Sequence, residues 1–233
     1  MTRAVLFDLF GTLVPSPPAN GYRDVVDSIA GIAGLPPEEF FYRWMSVNDD
    51  RLKGTFGSSE GEIGHVMDLS GITLSNGQLA ECVRIRRAAM GPWLEPKPGC
   101  FETLQQLSDD GIALGLVSDC VFDVPAVWPS TPFAGLFSTT VFSCVEGRRK
   151  PDARLYEKAM ADLGIRPAES IFVGDGGSNE LQGARDLGIS AYFLDDQAQD
   201  LSTVMRVDVH EWDGPSIKSL SEVPGLIYRT GHS

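Results

Sequence analysis

Short apolar runs recur along the chain, and their branched and aromatic residues predict buried strands rather than helices. These runs are Ala4–Phe7, Ile112–Val117, Ile171–Val173 and Ile189–Leu194. Helical periodicity separates them, over Cys100–Leu107, Ala153–Leu163 and Asn179–Leu187. Strands that do not alternate between polar and apolar residues, with helices between them, indicate a parallel α/β sheet covered on both faces. After residue 197 the pattern predicts a last strand and a helix, near Val207–Val209 and Pro215–Leu220.

Residues 19–90 differ from the rest, because helical patterns follow one another there without a predicted strand. The helices are expected at Tyr22–Ala33, Pro37–Leu52, Ser59–Leu69 and Ser75–Ala89. Proline-rich segments, which make stiff and extended connections, lie on both sides of this stretch. An ordinary crossover between parallel strands needs only about a dozen residues. We therefore predict a helical cap domain of residues 18–91, inserted into a core of residues 1–17 and 92–233.

Composition narrows the classes of function. A net charge of −13 and a pI near 4.6, without a long basic run, exclude nucleic acid as the expected partner. The short cluster Arg148-Arg149-Lys150 stands out against this acidic background. No apolar run approaches the ~20 residues that cross a bilayer, and the N-terminus does not resemble a signal peptide. The cysteines form no Cys-x-x-Cys pair, so we expect a cytoplasmic protein without a membrane partner, a zinc site or disulfides.

Polar side chains follow three of the predicted strands. Asp8 ends the first, Ser118 ends the second, and Asp175 follows the third after one glycine. The carboxyl ends of parallel strands face one crevice, where ligands bind. A single aspartate at such a place is usually a helix cap or a turn residue. Three polar groups together favour a site, although the residues alone leave catalysis and capping equally open.

Four segments, in order along residues 1–194, resemble the motifs of the haloacid dehalogenase superfamily. Phe7-Asp8-Leu9-Phe10-Gly11-Thr12-Leu13 resembles the first motif, a strand that ends in Asp-x-x-Gly-Thr-Leu. Val117-Ser118-Asp119 resembles the second, Lys150-Pro151 the third, and Gly174-Asp175 through Glu180 the fourth. The resemblance implies a hydrolase with a Rossmann-like core and a helical cap.

The resemblance also implies the catalytic and substrate-binding groups. Asp8 is the expected covalent nucleophile, because a carboxylate can split one hard displacement into two easier ones. Thr12 and Ser118 are expected to donate hydrogen bonds to the transferring group, and Lys150 to neutralise its charge. We expect Gly11, which permits a sharp turn that brings backbone N–H groups toward a ligand, and Asp119 to contribute to substrate binding.

A magnesium site is the third implication of the resemblance. Asp175, Asp8 and the backbone carbonyl of Phe10 form the oxygen-only set that Mg²⁺ prefers. Glu180 is expected to hold a metal-bound water. Without the resemblance, Glu180 and Lys150 would be interpreted as solvated surface charges.

Phe10 departs from the phosphatase pattern, which has a second aspartate two residues after the nucleophile. That aspartate transfers protons, and such a group contributes about 10²–10⁴-fold to the rate. An aromatic residue there resembles the 2-haloacid dehalogenases, whose halide leaves unprotonated and which need no metal. Asp175 and Glu180 instead match the metal-binding phosphatases. The alternatives to a phosphatase are a metal-independent 2-haloacid dehalogenase and a non-catalytic protein that binds a phosphate ligand.

The segment Arg51-Leu52-Lys53-Gly54-Thr55 resembles the substrate-specificity loop of relatives with this type of cap. Arg51 or Lys53 either contacts the substrate or is an ordinary charge at a helix end. We expect Mg²⁺-dependent hydrolysis of a small phosphorylated, anionic metabolite through an aspartyl-phosphate on Asp8. The sequence predicts no oligomeric state.

Overall fold

The computed structural model describes residues 1–196 and 212–229 of the chain. Its centre is a six-stranded sheet in the order β3-β2-β1-β4-β5-β6, in which each neighbouring pair is parallel. The strands are β1 Ala4–Phe7, β2 Ala113–Ser118, β3 Thr139–Phe142, β4 Ser170–Gly174, β5 Ser190–Leu194 and β6 Ser216–Ile217. The predicted Rossmann-like α/β fold is thus confirmed.

Both faces of the sheet are covered, as the continuous apolar runs predict. Successive side chains of a strand point to opposite faces, so Val5 and Phe7 enter one hydrophobic cluster and Leu6 enters another. Burial of one such side chain contributes about 1.5–3 kcal/mol. The helices of this part are α6 Cys100–Asp109, α7 Asp123–Val127, α8 Ser143–Glu146, α9 Ala153–Leu163, α10 Glu180–Asp186 and α11 Val223–Arg229.

Between β1 and α6 the chain is helical and has a hydrophobic cluster of its own. The helices are α1 Ala19–Ala33, α2 Pro37–Ser46, α3 Asn48–Leu52, α4 Ser59–Leu69 and α5 Asn76–Trp93. Val26, Trp44 and Ile63 are buried at the centre of this cluster. We call α1–α5 the helical segment; its status as a separate domain stays a prediction. Within the described ranges, none of the helices combines the length and the apolar character needed to cross a membrane.

The structure differs from the sequence analysis at several elements. The predicted helix over 37–52 is two helices, α2 and α3, that meet at Val47. Helix α5 continues through Pro92 to Trp93, beyond the end at Ala89 that we expected. The predicted helix near Pro215–Leu220 is wrong, because Ser216–Ile217 pairs with β5 as a strand. The strand predicted near Val207–Val209 lies outside the described residues.

Candidate active site

Strands β1, β2 and β4 are neighbours at the centre of the sheet, so their carboxyl ends meet at one edge. Phe7 lies opposite Leu116 of β2 and opposite Val173 of β4. Asp8 directly follows Phe7, and Asp175 lies two residues after Val173. The topology therefore brings the two carboxylates to the same edge of the sheet, as expected for residues that follow parallel strands.

Asp8 is held by contacts to both its backbone and its side chain. Its amide donates a hydrogen bond to the carbonyl of Val173 at 3.0 Å. The hydroxyl of Thr12 donates to Oδ2 at 3.2 Å, and the ammonium of Lys150 pairs with Oδ1. The side chain of Asp8 is buried. A carboxylate fixed at both oxygens is oriented before a substrate arrives.

Lys150 is the central cation of the site. Its side chain is 3% exposed, and Nζ pairs with Asp8 and, at 2.5 Å, with Oε2 of Glu180. Burial alone would lower the pKa of Lys150, but Asp8, Glu180 and Asp119 outweigh burial and raise that pKa well above its ordinary value. Both Lys150 and Glu180 are therefore buried groups of the site, and not solvated surface charges.

Two aspartates fix the chain on either side of the Lys150-Pro151 segment. Oδ1 of Asp119 accepts the amide N–H of Lys150 at 2.9 Å. Asp152 caps the first turn of α9, directly after Lys150-Pro151, by accepting the N–H of Arg154 at 3.0 Å. Burial raises the pKa of Asp119, with Lys150 acting in the opposite direction. Asp119 lies at the wall of the site, where one of its oxygens holds the lysine segment.

Asp8, Asp175 and Glu180 place carboxylate oxygens within 4.8 Å of one another. The amide of Gly177 donates to Asp175 at 2.9 Å, and the amide of Gly176 donates to Glu180 at 3.1 Å. Burial, followed by Asp8, raises the pKa of Glu180. Three buried carboxylates face one ammonium, so the cluster carries excess negative charge. A set of oxygen donors with that excess fits a Mg²⁺ ion.

Gly11 has the backbone conformation of a sharp turn and leaves room for Asp175. Its backbone φ is +79°, and a Cβ there would lie 2.3 Å from Oδ2 of Asp175. Its amide N–H donates to the carbonyl of Val14 at 2.8 Å, so this group is not offered to a ligand. Only glycine combines the required φ with room for the Asp175 carboxylate. Gly11 thus leaves room for Asp175, and its contribution to substrate binding stays a prediction.

These groups enclose a cavity of about 50 Å³, which we call the carboxylate cavity. It is lined by Asp8, Phe10, Ser16, Asp119, Lys150, Asp175, Gly177, Ser178 and Glu180. Phe10 is half-buried there, and no carboxylate occupies its position. Ser118 lies at the end of β2 but does not line this cavity, and within the described residues its buried hydroxyl meets the distance and angle limits of no hydrogen bond. An unsatisfied donor at this edge suits a ligand oxygen.

The two specificity-loop candidates have different environments, and neither lines the carboxylate cavity. Lys53 is 42% exposed and pairs with Asp49 at 2.5 Å, which is ordinary for a surface charge. Arg51 is only 1% exposed and lies within the helical segment. The interpretation of Arg51 as a surface charge at a helix end is therefore wrong.

Arg149 was given no role in the sequence analysis, yet it links the helical segment to two residues of the cavity wall. Its guanidinium pairs with Asp49 of α3 at 3.1 Å and donates to the hydroxyl of Ser178 at 3.1 Å. Nε lies 3.5 Å from Oδ2 of Asp119. The basic cluster Arg148-Arg149-Lys150 was the available signal, but its spacing did not tell which arginine faces the site.

A buried ion-pair network also escaped the sequence analysis. Arg86 of α5 pairs with Glu62 of α4 at 2.6 Å and with Asp123 of α7. The hydroxyl of Ser59 donates to Asp123 at 2.9 Å. This network joins the helical segment to the sheet-bearing part of the chain. No spacing in the sequence distinguishes Arg86 from its exposed neighbours on α5.

Comparisons with known proteins give a matching family model and several relatives. Residues 2–188 match the model of the haloacid dehalogenase-like hydrolases. Glyceraldehyde 3-phosphate phosphatase of Methanopyrus kandleri is 27% identical over 199 residues, which cover 81% of this chain and 82% of that protein.

Solved structures share the fold. The 2-haloacid dehalogenase from Pseudomonas syringae pv. Tomato DC3000 has a TM-score of 0.72 and 21% identity, covering 98% of this chain and 99% of that one. A HAD phosphatase from Thermococcus onnurineus has a TM-score of 0.68 and 21% identity, covering 97% and 98%. Both phosphatases and dehalogenases thus share this architecture.

Proposed function

Since this chain belongs to the haloacid dehalogenase-like hydrolases, we propose that it is a Mg²⁺-dependent phosphatase of a small phosphorylated metabolite, with Asp8 as the covalent nucleophile. The observation that carries this proposal is the buried cluster of Asp8, Asp175 and Glu180 around Lys150. This cluster has three carboxylates and one ammonium group. A metal-independent dehalogenase acting on a small monoanion does not require such an excess of carboxylates. Phosphatase relatives such as the Methanopyrus kandleri protein support the same choice.

Asp8 attacks the phosphorus atom with one carboxylate oxygen, and the bond to the leaving oxygen breaks with its electron pair going to that oxygen. Thr12 and Lys150 orient the attacking carboxylate through its two oxygens. Ser118 donates its hydroxyl to the transferring group, whose negative charge Lys150 stabilises. Water then attacks the phosphorus of the aspartyl-phosphate, and the bond between phosphorus and the Asp8 oxygen breaks with its electron pair returning to the carboxylate. The proton of the water leaves with the released phosphate or passes to solvent.

The metal would be held by Asp8, Asp175 and the backbone carbonyl of Phe10, with Glu180 acting through a water molecule. When bound, Mg²⁺ supplies charge neutralisation between the nucleophile and the anionic phosphoryl group. The protein's own contribution is to hold these oxygens together. Gly11 leaves room for the Asp175 carboxylate, and the amides of Gly176 and Gly177 fix Glu180 and Asp175.

Phe10 restricts the leaving group. An aromatic ring cannot donate a proton to the departing oxygen, so substrates whose leaving group departs as a stable anion are favoured. The predicted cap domain, residues 18–91, serves as the cap over the site. The candidates for contact with the substrate are Asp119, Gly11, Arg51 and Lys53. Gly11 contributes by leaving room for the Asp175 carboxylate.

The acidic composition disfavours nucleic acid as a partner, and we place the activity in the cytoplasm. A second candidate function rests on one observation. Phe10 lines the carboxylate cavity without a proton donor, which is compatible with a 2-haloacid dehalogenase.

A substrate panel separates the two functions. Phosphate esters with good leaving groups are assayed for phosphate release with Mg²⁺ and with excess EDTA, and 2-haloacids for halide release under both conditions. Mg²⁺-dependent phosphate release supports the phosphatase. Halide release in EDTA, without phosphate release in Mg²⁺, overturns it in favour of the dehalogenase.

A further inference from the structure

The chain between Asp175 and Glu180 has an unusual backbone conformation. Gly176, Ser178 and Asn179 have φ values of +83°, +54° and +52°. Glycine adopts this left-handed region freely and asparagine visits it, but serine rarely does, because its Cβ comes too close to the following carbonyl oxygen. Ser178 therefore has a conformation that the surrounding structure must support.

Residues 176–179, which we call the metal-site turn, hold the carboxylates on both sides of the turn. The amide of Gly177 donates to Oδ1 of Asp175 at 2.9 Å, and the amide of Gly176 donates to Oε1 of Glu180 at 3.1 Å. These amides point at the carboxylates only while the turn keeps its φ values. The conformation of the turn therefore sets the relative positions of the two carboxylates.

Arg149 contacts the metal-site turn from outside. Its Nη2 donates to the hydroxyl of Ser178 at 3.1 Å. Its Nη1 pairs with Oδ1 of Asp49 in α3 at 3.1 Å, and its Nε lies 3.5 Å from Oδ2 of Asp119. The side chain of Arg149 is only 13% exposed. The planar guanidinium thus joins the helical segment to the turn through two of its nitrogens.

Helix α3 is also held close to this place by backbone contacts. The hydroxyl of Ser143 in α8 donates to the carbonyl of Leu52, the last residue of α3, at 2.6 Å. Shortly after α3, a Cβ added to Gly54 would overlap the carbonyl oxygen of Cys144, so the two backbones are in close contact. The ion pair of α3 with Arg149 is therefore part of a packed contact, and not a chance meeting of two surface side chains.

We propose that Arg149 is a positioning residue for the Mg²⁺ site: anchored by Asp49 of the helical segment, it holds Ser178 and thereby the metal-site turn in the left-handed conformation. This inference rests on the proposed function, since it takes the carboxylates beside the turn as groups of the Mg²⁺ site. Docking of α3 and binding of Mg²⁺ are then coupled, and each favours the arrangement that the other requires.

Calorimetric titration of Mg²⁺ into the substrate-free protein tests this proposal independently of turnover. Arg149→Met weakens Mg²⁺ binding by about tenfold, as expected for a group that orients metal ligands. The direction is informative, because removal of a positive charge near a cation site would by itself strengthen Mg²⁺ binding. The matched control is Arg148→Met, which removes the neighbouring guanidinium that donates to the carbonyl of Glu146. This control does not weaken Mg²⁺ binding, and an Arg149→Met variant that behaves like it overturns the inference.

The variant Ser178→Gly separates support of the turn from any other effect of Arg149. It removes the hydroxyl, but it also lets the turn adopt its positive φ without strain. In the Ser178→Gly background, Arg149→Met changes the Mg²⁺ dissociation constant by less than about twofold, because the two residues act as one unit. A tenfold loss in that background as well shows that Arg149 acts elsewhere, and it overturns the inference.

Asp49→Asn tests the connection to the helical segment, and it serves if Arg149→Met gives no cooperative melt. The side chain of Asp49 is 53% exposed, so we expect Mg²⁺ affinity to fall by only about two- to fivefold. Asp50→Asn, at the next and also exposed residue of α3, gives the smaller change that is due to charge alone. Equal changes in the two variants overturn the coupling of α3 to the Mg²⁺ site.

Failure of the proposed function is recognised separately. Mg²⁺ binding that depends on Arg149, in a protein that turns over no phosphate ester, supports this inference and overturns the phosphatase. Turnover of phosphate esters, with a Mg²⁺ dissociation constant unchanged by Arg149→Met, supports the phosphatase and overturns this inference. Absence of Mg²⁺ binding to the wild-type protein overturns both.

Discussion

Lys150 and Asp8, 142 residues apart in the sequence, form a buried ion pair at the carboxyl edge of the sheet. The same ammonium contacts Glu180, so one lysine joins the nucleophile to the carboxylates of the candidate metal site. The excess of carboxylates over ammonium groups at this point of the fold is the basis of the proposed Mg²⁺ site. Substitutions around this pair provide the first tests.

Lys150→Met removes the cation that the buried carboxylates of Asp8 and Glu180 contact. Breaking such a pair leaves uncompensated charge, so the free energy of unfolding at pH 7 falls by about 3–5 kcal/mol. The rate falls by about 10²–10³-fold, because stabilisation of the transferring group is lost. Urea denaturation and phosphatase assays measure the two effects. The control is Lys158→Met, which removes an exposed ion pair with Asp162 and changes the free energy of unfolding by less than about 1 kcal/mol. Equal losses of stability in the two variants refute the prediction.

Phe10→Asp introduces a proton-transfer group beside Asp8. We expect kcat for ethyl phosphate, a poor leaving group, to rise by about 10²–10⁴-fold. The rate for p-nitrophenyl phosphate changes much less, since its leaving group departs as an anion. Steady-state kinetics with the two esters give the comparison. If the variant binds phosphate esters but turns neither over, the chain is a phosphate-binding protein and not an enzyme.

Gly11→Ala places a Cβ where the Asp175 carboxylate lies, at a φ of +79°. We expect Asp175 to be displaced, so that the Mg²⁺ concentration for half-maximal activity rises at least about tenfold. The strained φ lowers the free energy of unfolding by about 1 kcal/mol or more. Magnesium titrations of activity measure the shift. Gly31→Ala, at an exposed position of α1 where no atom lies within 4 Å of the added Cβ, leaves the titration unchanged. Identical titrations of both variants rule out this role of Gly11.

Asp152 links pH to the stability of the segment that carries Lys150. Its hydrogen bond with the Arg154 side chain lowers the pKa of Asp152 to about 2 from 3.8. A lowered pKa stabilises the fold above pH 3.8, and this contribution is lost as the pH falls toward 2. Asp152→Ala therefore costs about 1 kcal/mol at pH 7 and less at pH 3. Urea denaturation at both pH values measures this, with Glu157→Ala on the exposed face of α9 as the control. A cost that does not shrink at low pH excludes the carboxylate as its source.

The central strands were predictable because they are buried on both faces and read as continuous apolar runs. Strand β3 was not predicted, because Thr139 and Thr140 interrupt its apolar character at the edge of the described sheet. Val47 ends α2 and starts α3 without proline or glycine, so the periodicity predicted one helix there. Pro92 lies in the last turn of α5, where tertiary packing of Trp93 outweighs the usual effect of proline.

The site was predictable where motif and strand end coincide, as at Asp8, Asp175 and Ser118. Burial was not predictable for Arg51, because a single helix end gives no information about what packs on it. The roles of Arg149 and Arg86 depend on contacts with Asp49 and Asp123 in distant elements. Such pairs arise only when the helical segment and the sheet are placed together.

Hydrolysis of p-nitrophenyl phosphate tests the central claim most directly, with the purified protein in Mg²⁺, in excess EDTA, and as the Asp8→Asn variant. The account predicts turnover that requires Mg²⁺ and disappears in Asp8→Asn, while that variant melts at a temperature close to the wild type. Turnover that persists in EDTA or in Asp8→Asn would contradict it, as would the absence of any Mg²⁺-dependent turnover.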